Sequence, residues 1–153
     1  MKKTWILAFI LLAASGMAMA ADTANVAVSA NVTGVCKFVS GGSLAFGPLD
    51  PSSGSNVNGT STDAEFWCTK GQAYTVTDDG GANKSGTTYR MKHATLSEYI
   101  PYSFSYSPAS GTGGGAAVGA RISLAFSGTV QFTDYQNASV GAYSDTVQLT
   151  INP

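Results

Sequence analysis

Few side chains in this sequence could do chemistry. The single histidine is His93. A serine nucleophile needs an imidazole base held beside it. His93 lies in the polar stretch Lys92-His93-Ala94-Thr95, and no serine carries a nucleophile signature around it. It reads as an exposed surface histidine. Asp78-Asp79 offers adjacent carboxylates of the kind used in Ca²⁺ or glycosidase sites. Neighbours on a strand point to opposite faces, however, and the Gly80-Gly81 that follows makes this pair a turn. Gly111-Thr112-Gly113-Gly114-Gly115 has the look of a phosphate-cradling loop but lacks the Lys-Ser/Thr ending that would grip a nucleotide. It reads as a flexible loop. The expectation is no catalytic residue, no cofactor site and no metal site.

The N-terminus explains part of this. Lys2 and Lys3 are followed by an apolar run from Trp5 to Ala14 and then by Ala18-Met19-Ala20. A positive start, a short apolar stretch and small residues at alternate positions make a bacterial secretory signal, with cleavage expected after Ala20. The apolar run is too short for a comfortable membrane span, and no later run is longer, so no integral membrane span is expected. The Asn-X-Thr sequons at Asn31 and Asn58 carry little meaning behind a bacterial signal.

Residues 21–153 then make one domain. Without Lys2 and Lys3, six basic residues stand against nine acidic ones, a net of −3. Nucleic-acid binding needs clustered cations, so a polyanion partner is not expected. Cys36 and Cys68 are the two cysteines. An even count in an exported chain reads as a disulfide, the alternative being two unpaired buried thiols. His93 is far from both in sequence, which disfavours a metal site.

The elements that position these residues are strands. Period-two alternation recurs, and sustained helical periodicity hardly occurs. Ala24, Val26, Val28, Ala30 and Val32 share one face of a segment that Thr33-Gly34 interrupts. Strands are expected over Val35–Val39, Ser43–Phe46, Asp63–Thr69 (Phe66 and Cys68 opposite Trp67), Ala73–Thr77 and Thr87–His93. A further one is expected over Tyr99–Tyr106, where Pro101 marks an edge or bulge. Pro51–Thr62 and Ser107–Gly119 read as loops, and Arg121–Phe126 with Thr129–Thr133 as a hairpin around Ser127-Gly128. Tyr143–Ile151 alternates strictly, placing Val147, Leu149 and Ile151 together. Seven to nine short strands at this spacing indicate an all-β, antiparallel immunoglobulin-like sandwich, with a closed barrel as the competitor.

The alternating segment at 24–32 either pairs within its own sheet or adds to a neighbouring molecule by β-augmentation. A domain waiting for such a strand would expose an apolar groove and unpaired edges.

The sequence resembles the spore coat protein U domain family, which includes the shaft subunits of archaic chaperone–usher pili. The resemblance spans residues 21–153. It rests on Asn31-Val-Thr-Gly-Val-Cys36, Leu44-Ala-Phe-Gly-Pro-Leu-Asp-Pro51 and Phe66-Trp-Cys68-Thr-Lys-Gly71. It continues through Tyr74-Thr-Val76, the Asp79-Gly-Gly turn, Tyr89-Arg-Met91 and the closing Gly141–Pro153. The resemblance implies an incomplete sandwich lacking its last strand. A periplasmic chaperone would lend a strand, and at an outer-membrane usher the N-terminal segment of the next subunit would replace it. Residues 21–33 would then be the donor segment and 34–153 the pilin domain. Val26, Val28, Ala30 and Val32 would be donor positions, with Ala24 a fifth. Val147, Leu149 and Ile151 would border the acceptor groove, and Cys36 and Cys68 match the family's disulfide positions. A Trp-Gly pair often seen after the middle strands is absent, and the glycine-rich 107–119 region stands in its place.

The resulting expectation is a non-enzymatic pilus subunit, carried to the cell surface, that supports adhesion and biofilm formation. Its partners would be like subunits, the chaperone and the usher. The rival readings are a self-complemented coat or envelope protein and a small secreted carbohydrate-binding or hydrolytic sandwich.

Overall fold

The computed structural model of the chain describes residues 21–153, so the secretory-signal reading lies outside the described residues. The described chain divides into two units, one ending at Asn31 and one running from Val32 to Pro153. Residues 21–31 carry no helix or strand, and Val26 and Val28 are 83% and 91% exposed.

The second unit is built from short strands. The first seven are β1 (Cys36–Ser40), β2 (Ser43–Ala45), β3 (Val57–Asn58), β4 (Thr60–Thr62), β5 (Ala64–Cys68), β6 (Ala73–Asp78) and β7 (Tyr89–His93). They are followed by β8 (Tyr99–Tyr102), β9 (Ser105–Ser107), β10 (Ser110–Thr112), β11 (Ile122–Ser127) and β12 (Thr129–Val130). After a single helical turn, α1 (Phe132–Tyr135), come β13 (Tyr143–Ser144) and β14 (Leu149–Asn152).

Two sheets form the sandwich. One has the order β1-β5-β11-β9 and the other β10-β6-β14, with every pairing antiparallel. Alternation dictates which residues meet between them. Ala64, Phe66 and Cys68 of β5 point inward while Glu65 and Trp67 do not, and Leu124 and Phe126 of β11 do the same. Tyr74 and Val76 of β6 close the core from the other sheet. Phe66 packs edge-on to Tyr74 at 5.0 Å between ring centres. Fully buried Phe66 and Leu124 each contribute about 1.5–3 kcal/mol by leaving water.

A second core lies around Ile100, Val130 and Tyr135, with Phe46, Met91 and Tyr143 against it. Its strands belong to the small sheets β13-β7-β8 and β12-β3. Tyr135 is buried to 1% exposure, and its hydroxyl is held at 2.6 Å by the Ser55 carbonyl and at 2.9 Å by the Ser53 hydroxyl. Among the described residues no helix is long and apolar enough to cross a membrane.

Several expectations are corrected here. The Arg121–Thr133 hairpin does not exist: β11 pairs with β5 and β9, whereas β12 pairs with β3. Gly128 makes this change of partner possible, because a Cβ there would run into the Ser103 carbonyl and the Leu44 side chain. The 51–62 stretch carries β3 and β4, and 107–119 carries β10, none of which has an apolar alternation to betray it. Phe132–Tyr135 is helical rather than extended at its start. Tyr99–Tyr106 is interrupted at Ser103-Phe104, and Pro101 sits in β8, an edge strand, as its missing N–H requires.

Candidate functional site

A cleft of about 1230 Å³ opens along one side of the 32–153 unit. Phe38 of β1 lies on one side of it, and Val147 and Leu149 on the other. Its floor is aromatic. Phe46, Tyr102, Phe104 and Phe126 all line it. Phe46 meets Tyr102 at 5.7 Å, and Phe104 stacks on Phe126 at 5.8 Å. Tyr89 joins the two halves, 5.7 Å from Tyr102 and 5.5 Å from Phe104. Both cores contribute to this floor, Phe126 from the sandwich and Ile100 with Tyr135 from the smaller one.

Among the described residues, the strands flanking the cleft are each paired on one side only. β1 is the end strand of its sheet and β14 the end strand of the other. In an antiparallel ladder, successive residues turn their N–H and C=O groups to alternate sides. Asp79 donates its N–H to the Gln148 carbonyl at 3.1 Å, and Ala82 donates to the Thr146 carbonyl at 2.9 Å. Even-numbered residues of this segment thus face β6 and its turn. Val147, Leu149 and Ile151 present their main-chain groups to the open edge.

β1 alternates in the same way. The Thr69 N–H donates to the Val35 carbonyl at 2.8 Å, so Val35 and Lys37 face β5 while Cys36 and Phe38 face outward. Unpaired main-chain groups beside an apolar cleft are a template for an added strand.

The walls are braced. Cys36 and Cys68 are disulfide-bonded as expected, with Cα atoms 4.0 Å apart, tying β1 to β5 at directly opposed positions. Gly113 packs on this bridge: a Cβ there would stand 2.5 Å from the Cys68 and Thr69 carbonyls.

On the other wall, Asp145 accepts from the Asn83 N–H and side-chain amide, both at 3.0 Å, and from the Tyr102 hydroxyl at 2.8 Å. Burial, with the Asp145 carboxylate as second cause, raises the Tyr102 hydroxyl above the usual tyrosine range. Tyr89 is pushed up to about 12 by burial and by donating to Asp78 at 2.7 Å. Glu98 receives the Ser139 hydroxyl at 2.8 Å, the Ser139 N–H at 3.1 Å and the Tyr143 hydroxyl at 3.1 Å. Ser139 leads in holding its carboxyl below the ordinary value. These carboxylates anchor loops; they are engaged in structure rather than poised for proton transfer.

The residues singled out in the sequence fall as follows. Val147 and Leu149 line the cleft and Ile151 lies outside it, although Leu149 and Ile151 both pack on the sandwich core. Val26, Val28 and Val32 are exposed, as is Ala30. Asp78 and Asp79 form the turn, accepting from the Gly80 and Gly81 N–H groups at 2.8 and 2.9 Å.

The exposed-histidine reading is wrong. His93 is 6% exposed, its Nδ1 accepting from the Thr95 and Leu96 N–H groups at 3.1 and 3.0 Å and its Nε2 donating to the Val140 carbonyl at 3.1 Å. A polar sequence context concealed a ring that organises two loops. The aromatic floor and the Asp145 anchor were also missed, because they draw on residues spread from Phe46 to Asp145. The alternation of Tyr143 and Asp145 with Val147 was their one local signal.

The fold and cleft define an all-β, antiparallel sandwich with an open side. The family model for the Spore Coat Protein U domain matches residues 22–150. The chain belongs to that family, which is structural and of the pilin type. Among curated proteins no sequence matches this chain significantly.

Proposed function

We propose that the protein is a structural subunit of an archaic chaperone–usher pilus, polymerising by donor-strand complementation. Residues 24–32 of one copy fill the cleft of the next. The observation that carries this reading is the apolar cleft between two strands with unpaired outer edges, in a chain that also holds an exposed, alternating segment without a partner strand in the described residues. The two pieces match in length and period. Tyr143, Asp145, Val147, Leu149 and Ile151 are half-buried and the residues between them exposed. Ala24, Val26, Val28, Ala30 and Val32 repeat that spacing over the same nine positions, about 27 Å of extended chain.

Burying each of the three valines contributes about 1.5–3 kcal/mol. Ladder hydrogen bonds to Val147, Leu149 and Ile151 add to this. Before assembly, a periplasmic chaperone covers the cleft; at the outer membrane an usher passes the subunit to the fibre. The assembled fibre lies at the cell surface and supports adhesion and biofilm formation. Nothing in the reading calls for catalysis, a cofactor or nucleic acid.

The test compares the full chain with one lacking residues 21–33. The truncated protein should stay soluble only with a chaperone or an added peptide of residues 22–33. The full chain should form SDS-resistant multimers that dissociate on heating, and Val28→Asp should abolish them. A full chain that is a stable monomer with 24–32 docked in its own sheet contradicts the proposal and favours a self-complemented coat protein.

A further inference from the structure

Donor-strand assembly has an internal competitor. Residues 24–32 lead directly into β1, whose outer edge borders the cleft, and only Thr33, Gly34 and Val35 intervene. A tight turn at these residues would lay the segment antiparallel on β1 and fill the cleft from within. Tethering favours that outcome, since a short linker gives an effective concentration on the order of millimolar.

The linking residues are held out of such a turn. The Thr69 N–H donates to the Val35 carbonyl at 2.8 Å, and the Thr69 hydroxyl accepts the Val35 N–H at 3.0 Å. The hydroxyl proton is shared between the Thr33 carbonyl at 3.2 Å and the Val35 carbonyl at 3.3 Å. Both main-chain groups of Val35 are thereby committed to β5 and its end, so they are not free to close a two-residue turn with Val32. Such turns need positive φ at one or both central residues, and neither Thr33 nor Gly34 has it. Gly34 also lies so close to Gln72 that a side chain there would displace the Gln72 amide.

We propose that Thr69 is a specificity-determining residue for assembly: by clipping Thr33–Val35 in line with β1, it suppresses self-pairing of residues 24–32 and reserves them for a second copy. The inference rests on the donor-strand reading above. It assigns to the Cys68-Thr69 corner a role beyond stabilising the fold.

The test uses the full exported chain with Thr69→Val, which keeps the volume and removes the hydroxyl, and Thr69→Ser, which restores it. A third variant, Thr33→Asn, provides an Asn-Gly turn former without touching Thr69. Each is refolded at low concentration. The monomer fraction is measured by size-exclusion chromatography, and protection of amides 24–32 by hydrogen exchange. Thr69→Val should raise the protected monomer fraction about tenfold, the effect of one or two net hydrogen bonds. Thr33→Asn should move it the same way, and Thr69→Ser should match wild type.

Thr69→Val and Thr33→Asn chains that assemble as wild type does, with any monomer unprotected at 24–32, overturn the inference. If Thr69→Val does not fold, Thr33→Asn alone decides. A wild-type chain that is already a protected monomer overturns the assembly reading instead.

Discussion

Asp79 and Gln148 hold each other by two hydrogen bonds: the Asp79 N–H donates to the Gln148 carbonyl at 3.1 Å, and the Gln148 N–H donates to Asp79 Oδ1 at 3.0 Å. Half of this exchange is made by a side chain. The clasp sits at the root of β14 and sets which residues of that strand turn outward. It therefore links the Asp-Asp-Gly-Gly turn to the wall of the cleft.

An acid dependence follows. Asp79 titrates below its ordinary 3.8, chiefly because the Gly81 N–H and then the Gln148 N–H favour its charged form. A group whose folded pKa is depressed adds stability above its unfolded pKa, and that stability is lost as pH falls through the folded value. Denaturant midpoints of wild type and Asp79→Asn should differ at neutral pH, with wild type the more stable. The two curves should begin to approach each other below about pH 4, where the unfolded carboxyl starts to take up its proton, and meet only below the lower folded value. Equal midpoints at neutral pH would remove Asp79 from the account.

The disulfide should carry a large share of the stability. Its cysteines are separated by 32 positions, and closing a loop of that length stabilises by about 3–4 kcal/mol in the chain-entropy model. The double variant Cys36→Ala/Cys68→Ala should lose that amount in equilibrium unfolding. It should also free β1, one wall of the cleft, so its assembly should fall further than its helix- and strand-sensitive circular dichroism.

Gly113 is where the glycine-rich loop meets the bridge. Its φ is not in the left-handed region, so a substitution there tests space rather than backbone freedom. Gly113→Ala should destabilise by about 1–3 kcal/mol through overpacking against the Cys68 and Thr69 carbonyls. Gly119, with open space where a Cβ would stand, is the control: Gly119→Ala should be close to neutral in the same thermal melt.

Legibility in the sequence tracked how local the cause was. The inward set Phe66 and Cys68, with Trp67 opposite, could be read because the β5 alternation is its own signal. The half-buried alternation from Tyr143 to Ile151 was legible for the same reason, but the single strand expected there is two, Tyr143–Ser144 and Leu149–Asn152, with no strand over 145–148. The β4 and β10 strands were not, since their Ser, Gly and Thr residues carry no apolar face, and β3, Val57–Asn58, is too short to show an alternation. The false hairpin at Ser127-Gly128 shows the same limit, as its glycine serves a crossing against Ser103 rather than a turn. His93 was misread because its burial needs the Val140 carbonyl, 47 positions away, besides the local Thr95 and Leu96 N–H groups. Of the cleft, Val147 and Leu149 are legible from the alternation of their own segment, but the aromatic floor joining Phe46 to Phe126 exists only in the fold.

The most direct measurement of the central claim, that residues 24–32 of one copy fill the cleft of another, mixes two impaired chains. Val28→Asp spoils the segment and spares the cleft; Val147→Asp spoils the cleft and spares the segment. Each alone should remain monomeric by light scattering. The mixture should yield one-to-one dimers and nothing longer, since only one productive joint is available. A mixture that stays monomeric while wild type assembles, or single variants that assemble as wild type does, would contradict the account.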